Sequence, residues 1–259
     1  MTLKIATFNV NGIRARLPIV AEWLQKESPD VLCLQETKCQ DEQFPVEPFS
    51  DAGYCVGLRG QKSYNGVAIL TKSQPAEVLR AFDDGRADEE ARFIAALVEN
   101  VWVINTYVPQ GRDPESPAFQ EKISFFSRVR QWFETRFDPT RLVVWTGDLN
   151  VAPEPIDVFD PKRMEGKVGF HPAERKALSD VQEWGFLDLF RRFHPQERQF
   201  SFWDYRLPQS FQRNLGWRLD HIMVTRSLAE LSIDCRIDDV PRSLPKASDH
   251  TPVLAEFDL

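Results

Sequence analysis

The segment 141–150, RLVVWTGDLN, constrains the fold more than any other stretch of the chain. Leu142, Val143, Val144 and Trp145 form a short apolar run rich in β-forming residues, the pattern of a strand covered on both faces. Such a strand needs layers above and below it. Gly147 breaks the run, and Asp148 and Asn150 follow two apart, on one side of an extended chain. That end of a strand is where a layered α/β protein places its active site. Taken alone, an Asx turn closing the strand is the simpler explanation of Gly147, Asp148 and Asn150.

Other segments repeat the arrangement. A strand over 3–10 delivers Asn9 and Asn11 to a turn at Gly12. Pro18 stands at the first position of an expected helix whose inner face carries Ile19, Val20, Trp23 and Leu24, and Ser28-Pro29-Asp30 stops it. A second strand, 31–34, runs into Gln35-Glu36-Thr37-Lys38. Strands at 54–58, 67–70, 92–98 and 101–106 read most simply as an antiparallel meander, and the last ends in Tyr107-Val108-Pro109-Gln110-Gly111-Arg112. Phe119, Ile123, Phe126, Val129 and Phe133 then mark an amphipathic helix that serves as core scaffolding.

The stretch 151–170 is long, charged and proline-containing, the kind of connection that is usually functional or disordered. Pro172 opens another helix, with Ala177, Leu178, Val181 and Trp184 inward and Gly185 at its end. The aromatic run 200–206 resembles a strand with bulky groups on both faces. Trp217, Leu219, His221 and Met223 alternate with Arg218, Asp220, Ile222 and Val224, which sets Asp220 on a strand fit for burial. A buried carboxylate is costly alone, so Asp220 requires a hydrogen-bonded or charged partner. The chain closes with Ser248-Asp249-His250-Thr251-Pro252 and a strand over 253–257.

With 259 residues, 42% of them hydrophobic and 27% charged, one domain spanning 1–259 is expected. No apolar stretch approaches the roughly 20 residues of a membrane helix, and the chain enters a strand at once, so a cytoplasmic enzyme with no membrane partner is expected. Cys33, Cys39, Cys55 and Cys235 lack the spacing of a disulfide framework or a zinc site. The formal charge of −7 argues against holding nucleic acid by bulk electrostatics and leaves room for a local basic groove.

Asn9, Asn11, Glu36, Tyr107, Asp148, Asn150, Asp249 and His250 thus stand at strand ends, with Asp220 beside them. Carboxylate and amide oxygens with a single histidine suit a hard ion such as Mg²⁺ rather than zinc. His171 and His194 precede prolines in loops, and His221 should point away from Asp220. His250 differs, because Asp220 needs a partner and a carboxylate-oriented imidazole binds or protonates phosphate oxygen well.

The set Asn9-x-Asn11-Gly12, Leu34-Gln35-Glu36-Thr37-Lys38, Tyr107-x-Pro109, Gly147-Asp148-x-Asn150, Trp217-Arg218-Leu219-Asp220 and Ser248-Asp249-His250-x-Pro252 resembles the exonuclease III family of apurinic/apyrimidinic endonucleases, within the DNase I-like nucleases and phosphatases. The resemblance runs from the first strand to the last. It implies an α/β fold, a four-layer sandwich of two mixed sheets face to face with helices outside. It also implies a Mg²⁺ or Mn²⁺ phosphodiesterase that cuts duplex DNA 5′ to an abasic site and acts as a 3′ to 5′ exonuclease or cleaner of blocked 3′ ends.

By that resemblance, Glu36 is the principal metal ligand, with Asn11 nearby, Asp249 supporting the metal side, and Asp148 and Asn150 adjoining it. Asp148 orients or deprotonates the attacking water, and Asn9 and Asn150 hold phosphate oxygens. His250, oriented by Asp220, stabilises transition-state charge, and Tyr107 acts on the phosphate or the leaving oxygen. Phe202, Trp217 and Leu219 match a pocket for a flipped-out abasic sugar, and Arg14, Lys38, Tyr64, Arg112, Trp203 and Arg206 are candidate DNA contacts. Lys62, Lys167, Arg213 and Lys246 are further candidates for phosphate contact.

Two departures bear on specificity. Members often carry an acid where this chain has Asn11, which leaves one fewer charge for a second metal. Lys167-Val168-Gly169 stands where some abasic-site specialists have asparagine, so the balance of endonuclease and exonuclease stays open. The competing reading is a phosphatase of the same superfamily acting on a phosphorylated lipid or small molecule, and the aromatic pocket favours DNA over it. An open groove for duplex DNA makes a monomer the simpler assembly.

Overall fold

A computed structural model describes residues 2–87 and 90–259. The first six-stranded sheet contains β1 (Thr2–Asn9), β2 (Val31–Gln35), β3 (Cys55–Arg59), β4 (Val67–Thr71), β11 (Ser232–Ile237) and β12 (Val253–Asp258), in the order β11-β12-β1-β2-β4-β3. The second contains β5 (Glu77–Leu79), β6 (Phe93–Val98), β7 (Val101–Tyr107), β8 (Val143–Asp148), β9 (Phe186–Asp188) and β10 (Asp220–Thr225), in the order β5-β6-β7-β8-β10-β9. Among the described residues only β1–β2 and β7–β8 pair in parallel, and helices α1 (Ile13–Glu27) and α3 (Pro117–Arg136) lie in their crossovers. Four strand C-termini therefore reach one edge of the sandwich, carrying Asn9, Glu36, Tyr107 and Asp148 at or just beyond them. The antiparallel neighbours β10 and β12 begin at that edge, which brings Asp220 and the Asp249-His250 pair to the same place.

Burial follows from this layering. Ile5, Val31, Ile69, Ile94, Val103, Val144, Ile222 and Ala255 fill the space between the sheets. Val20, Trp23 and Leu24 of α1 cover the outer face of the first sheet, together with Phe49 of α2 (Val46–Asp51). Phe126, Val129 and Phe133 of α3 cover the second sheet, joined by Leu178 and Val181 of a further helix, Pro172–Gln182. The result is the expected helix–sheet–sheet–helix sandwich.

A buried polar clasp sets how the two sheets meet. Gln35 of β2 donates to Oδ1 of Asn105 in β7 at 2.7 Å, while Asn105 Nδ2 donates back to the Leu34 and Ala68 carbonyls at 3.0 and 2.9 Å. Unpaired amides between apolar layers are costly, so a register that pairs Gln35 Nε2 and both ends of the Asn105 amide is favoured, with Gln35 Oε1 left without a partner among the described residues. Asn105 lies two residues before Tyr107, and Gln35 lies next to Glu36. The same clasp thereby fixes those two groups against each other.

Gly147 has φ +133°, and a Cβ there would stand 1.9 Å from the Thr106 carbonyl oxygen of the parallel neighbour. Only glycine permits the backbone that swings Asp148 into the edge.

Three expectations differ from the structure. The first helix starts at Ile13, five residues before Pro18, because Gly12 and Ile13 donate their amides to the Glu36 and Thr37 carbonyls. These outside acceptors anchor a first turn on the loop after the second strand, so the proline falls inside the helix. The meander is split: β3 and β4 form a hairpin in one sheet, while β5, β6 and β7 run antiparallel in the other. The aromatic run 200–206 forms no regular strand; Phe202 makes single bridges to Trp217 and His250, and the remainder turns back toward the site.

A second buried network locks the base of β10. Arg218 is 0% exposed and holds Asp157 through Nε and Nη2 at 2.6 and 3.1 Å, with Asp188 at 2.7 Å. Its Nη1 donates to His221 Nδ1 at 3.0 Å, which leaves Nε2–H to donate to the Val151 carbonyl at 2.9 Å. Burial raises the pKa of both aspartates, and Arg218, joined by Arg191 at Asp157 and by His221 at Asp188, more than reverses this, leaving each below the ordinary carboxylate value. Their contribution is thus present above an unfolded-state pKa of about 3.9 and lost as pH falls further. Arg218→Met should cost about 3–5 kcal/mol in denaturant unfolding at neutral pH. The wild-type advantage should shrink as unfolding is repeated toward pH 3, and an unchanged difference would contradict the assignment.

Candidate active site

Asn9 is the hub of the edge. Its Nδ2 donates to Glu36 Oε1 at 2.9 Å and to Asp148 Oδ2 at 2.8 Å, and its Oδ1 accepts the Asn11 amide at 3.0 Å. Glu36, Lys38 and Asn11 all adopt positive φ, which turns their side chains together just beyond the strand ends. Lys38 donates to Glu36 at 2.7 Å and to Asn11 Oδ1, while Asn11 Nδ2 donates to Asp249 at 2.8 Å. Lys38 therefore belongs to the acidic cluster itself.

Asp148 is 1% exposed and faces Asp220 directly across the β8–β10 pair. Its Oδ1 accepts the Asn150 amide at 2.9 Å, which is the Asx turn anticipated from the sequence. Asn150 Nδ2 donates to the Val108 carbonyl at 2.9 Å, tying the turn to the end of β7. Asp220 has the partner its burial requires: His250 Nδ1–H donates to it at 2.7 Å, and His250 Nε2 stands 3.6 Å from Asp148 Oδ2. Ser248 Oγ accepts the His250 amide at 3.2 Å, and the Phe202 ring centroid lies 4.8 Å from the imidazole.

The electrostatics follow from this crowding. Burial raises the Asp148 pKa most, Asp220 and Glu36 add to the rise, and His250 and Asn9 oppose it, so the net shift is upward. Burial disfavours the His250 imidazolium, but Asp220 and Asp148 outweigh it and hold the ring in its charged form. Burial likewise pushes Glu36 up, yet the Lys38 charge and the hydrogen bonds from Lys38 and Asn9 leave it below its ordinary value. The Tyr107 phenol is pushed well above its ordinary value, chiefly by burial and then by the Glu36 and Asp148 charges. Glu36, Asp148 and His250 each offer an atom within 4.8 Å of the others. An imidazolium has no free lone pair for a cation, so the oxygens of Glu36 and Asp148 are the atoms that could hold one, and oxygen donors suit a hard ion.

These groups line an open cavity of about 590 Å³, together with Phe202, Trp217, Leu219, Arg112 and Arg206. Phe202 and Trp217 meet through mutual backbone bonds, and Leu219 packs beside Val158 and Phe170. Tyr64 is 71% exposed and Arg14 is also exposed, and neither lines this cavity. Trp203 departs from the expected pattern: it is 3% exposed, donates to Asn214 Oδ1 at 3.2 Å and packs on Phe211, so it braces its loop from inside.

Residues given no site role in the sequence reading also shape the site. Gln110, Val168, Gly169, Asp204 and Tyr205 line the cavity. Lys122 is fully buried, pairs with Glu174 and donates to the Asn150 carbonyl at 2.7 Å. Glu174 in turn accepts the Gly169 and His171 amides at 2.8 and 3.0 Å, so one ion pair holds two walls of the cleft. A lysine three residues after Phe119, on the apolar stripe of α3, was the available signal.

Residues 6–250 match the model of the endonuclease/exonuclease/phosphatase family. The exodeoxyribonuclease III of Haemophilus influenzae is 37% identical over 98% of this chain and 100% of its own. Among solved structures, an AP endonuclease from Archaeoglobus fulgidus superposes with a TM-score of 0.96 at 44% identity, covering 99% of this chain and 100% of that one. A 3′ phosphatase from Neisseria, bound to a product DNA hairpin, superposes with a TM-score of 0.95 at 37% identity, with the same coverage. The fold, the edge at which the polar groups gather and these likenesses agree: the chain belongs to the endonuclease/exonuclease/phosphatase family.

Proposed function

We propose that this protein is a divalent-metal-dependent DNA-repair phosphodiesterase that incises duplex DNA 5′ to abasic sites and trims or cleans 3′ ends. One observation carries the reading: Asn9, Glu36, Tyr107, Asp148, Asn150 and the Asp220–His250 pair converge on a cavity with an apolar wall of Phe202, Trp217 and Leu219. The polar side suits a phosphodiester, and the apolar side suits a sugar without its base. A phosphatase for small soluble substrates has no evident use for that wall. The names borne by the relatives support the same conclusion.

Glu36 would hold the metal, Mg²⁺ or Mn²⁺, with Asn11 and Asp249 supporting that side. The bound ion supplies positive charge that neutralises charge developing on phosphate oxygen. Asp148, fixed at both carboxylate oxygens by Asn9 and Asn150, is placed to take the proton of the attacking water. Its buried setting makes it a stronger base than an exposed aspartate. His250, held by Asp220, presents Nε2–H toward the cleft, where a charged donor stabilises the phosphorane-like transition state. Tyr107 adds a phenol donor beside Glu36. Arg112 and Arg206 on the cavity wall contact the DNA backbone, and exposed Arg14 and Tyr64 extend the groove. A monomer acting on duplex DNA fits this open face.

A 5′-labelled duplex with one abasic analogue, incubated with Mg²⁺, should give a single cut at the lesion. A descending ladder would assign the protein to exonuclease work, and no cut would return it to the phosphatases. Excess EDTA should stop cleavage and Mg²⁺ restore it, whereas activity persisting in chelator would remove the metal from the account. Asp148→Asn should lower turnover by about 10²- to 10⁴-fold while DNA binding stays measurable by gel shift. Unchanged turnover in that variant contradicts its role as the base.

A further inference from the structure

We infer that Arg92 is a positioning residue for Tyr107, fixing where the phenol meets the phosphate; this rests on the nuclease reading above. Arg92 immediately precedes β6, opposite the end of β7. Its carbonyl accepts the Tyr107 amide at 2.9 Å, and its Nη1 donates to the Tyr107 carbonyl at 3.2 Å. Between these bonds the guanidinium lies over the Tyr107 ring, with Cζ 4.8 Å from the centroid. One residue thus clamps both the amide and the carbonyl of Tyr107 and covers one face of its ring.

The clamp is itself braced. Arg92 Nε donates to Glu90, and Asn65 Nδ2 donates to the other Glu90 oxygen at 3.1 Å. The Asn65 and Gly66 carbonyls accept the Lys38 and Thr37 amides at 2.9 and 3.1 Å, and the Gly66 amide donates to the Ala91 carbonyl at 2.9 Å. One hydrogen-bonded bracket therefore joins the backbone just after Glu36 to the residue that holds Tyr107. Tyr107 and Glu36 line the same cavity from different sheets, so their separation depends on this bracket as well as on the core.

Arg92 does not line the catalytic cavity. It borders a separate recess of about 450 Å³, shared with Pro109, Glu121 and Phe125. Its direct contacts reach the chemistry through Tyr107, while the Glu90–Asn65 bracket is a second route, toward Glu36, and pairing the change with Tyr107→Phe tells the two apart. That separates positioning from catalysis and from DNA contact, because a phosphate ligand would change KM and a loop tether alone would act whether or not the phenol is present.

The test is a double-mutant cycle on the abasic duplex with Mg²⁺, comparing Arg92→Met, Tyr107→Phe and the double variant by kcat, KM and thermal melting. Arg92→Met should lower kcat roughly tenfold with KM within about twofold, since small misplacement of a reacting group is costly. In the Tyr107→Phe background the same change should have no further effect on kcat. Equal losses in both backgrounds overturn the inference, as does a loss confined to KM. If Arg92→Met does not fold, Arg92→Lys, which keeps a cation over the ring, goes through the same cycle under the same criteria. Wild-type protein that leaves the duplex intact overturns the nuclease reading and this inference with it; equal losses in a cutting enzyme overturn this inference alone.

Discussion

Asp148 and Asp220 face each other on adjacent antiparallel strands, and Glu36 shares Asn9 with Asp148. Three carboxylates therefore crowd one edge of the sandwich, where like charges and burial both work against ionisation. The fold answers with a single imidazole between two of them, a shared amide and one lysine against the third. These compensations are matched to position: each carboxylate has a donor on a different element, so the arrangement exists only when both sheets are in register.

That dependence explains why buried polar groups recur away from the chemistry. Gln35 and Asn105 pair between the sheets directly beneath Glu36 and Tyr107. Arg218 anchors Asp157 and Asp188 beneath Leu219 and Asp220, and Lys122 with Glu174 holds the walls near Asn150 and Gly169. The first two networks sit one or two residues from a group that lines the cleft, and the third bonds the backbone of two such groups, Asn150 and Gly169. A sandwich held by apolar packing alone would tolerate small slips of one sheet on the other; a paired buried amide or ion does not. The protein thus spends some stability on polar burial to keep the edge from shifting.

Much of this was legible in the residues. Strand-end polar groups repeat at Asn9, Glu36, Tyr107 and Asp148 because parallel strands bring their C-termini to one edge, and local alternation shows each one. The need of Asp220 for a partner was readable from its burial pattern, and His250 meets it. Which strands share a sheet was not readable, since β4 and β6 carry similar patterns and only the packing assigns them to different layers. The start of the first helix was hidden as well, because the acceptors for Gly12 and Ile13 come from the loop after β2. Trp203 shows the limit of composition: an aromatic beside the site is buried on Phe211, while its neighbour Phe202 faces the cleft.

The central claim is that this acidic edge is completed by a hard divalent cation held chiefly by Glu36. Thermal unfolding in chelator and then with added Mg²⁺ tests it most directly, because a ligand that binds only the folded state raises its stability by about 2.7 kcal/mol at a hundredfold excess over Kd. The wild-type protein should melt several degrees higher with Mg²⁺, and Glu36→Gln should show no such rise. An equal rise in both proteins, or none in the wild type, would contradict the account.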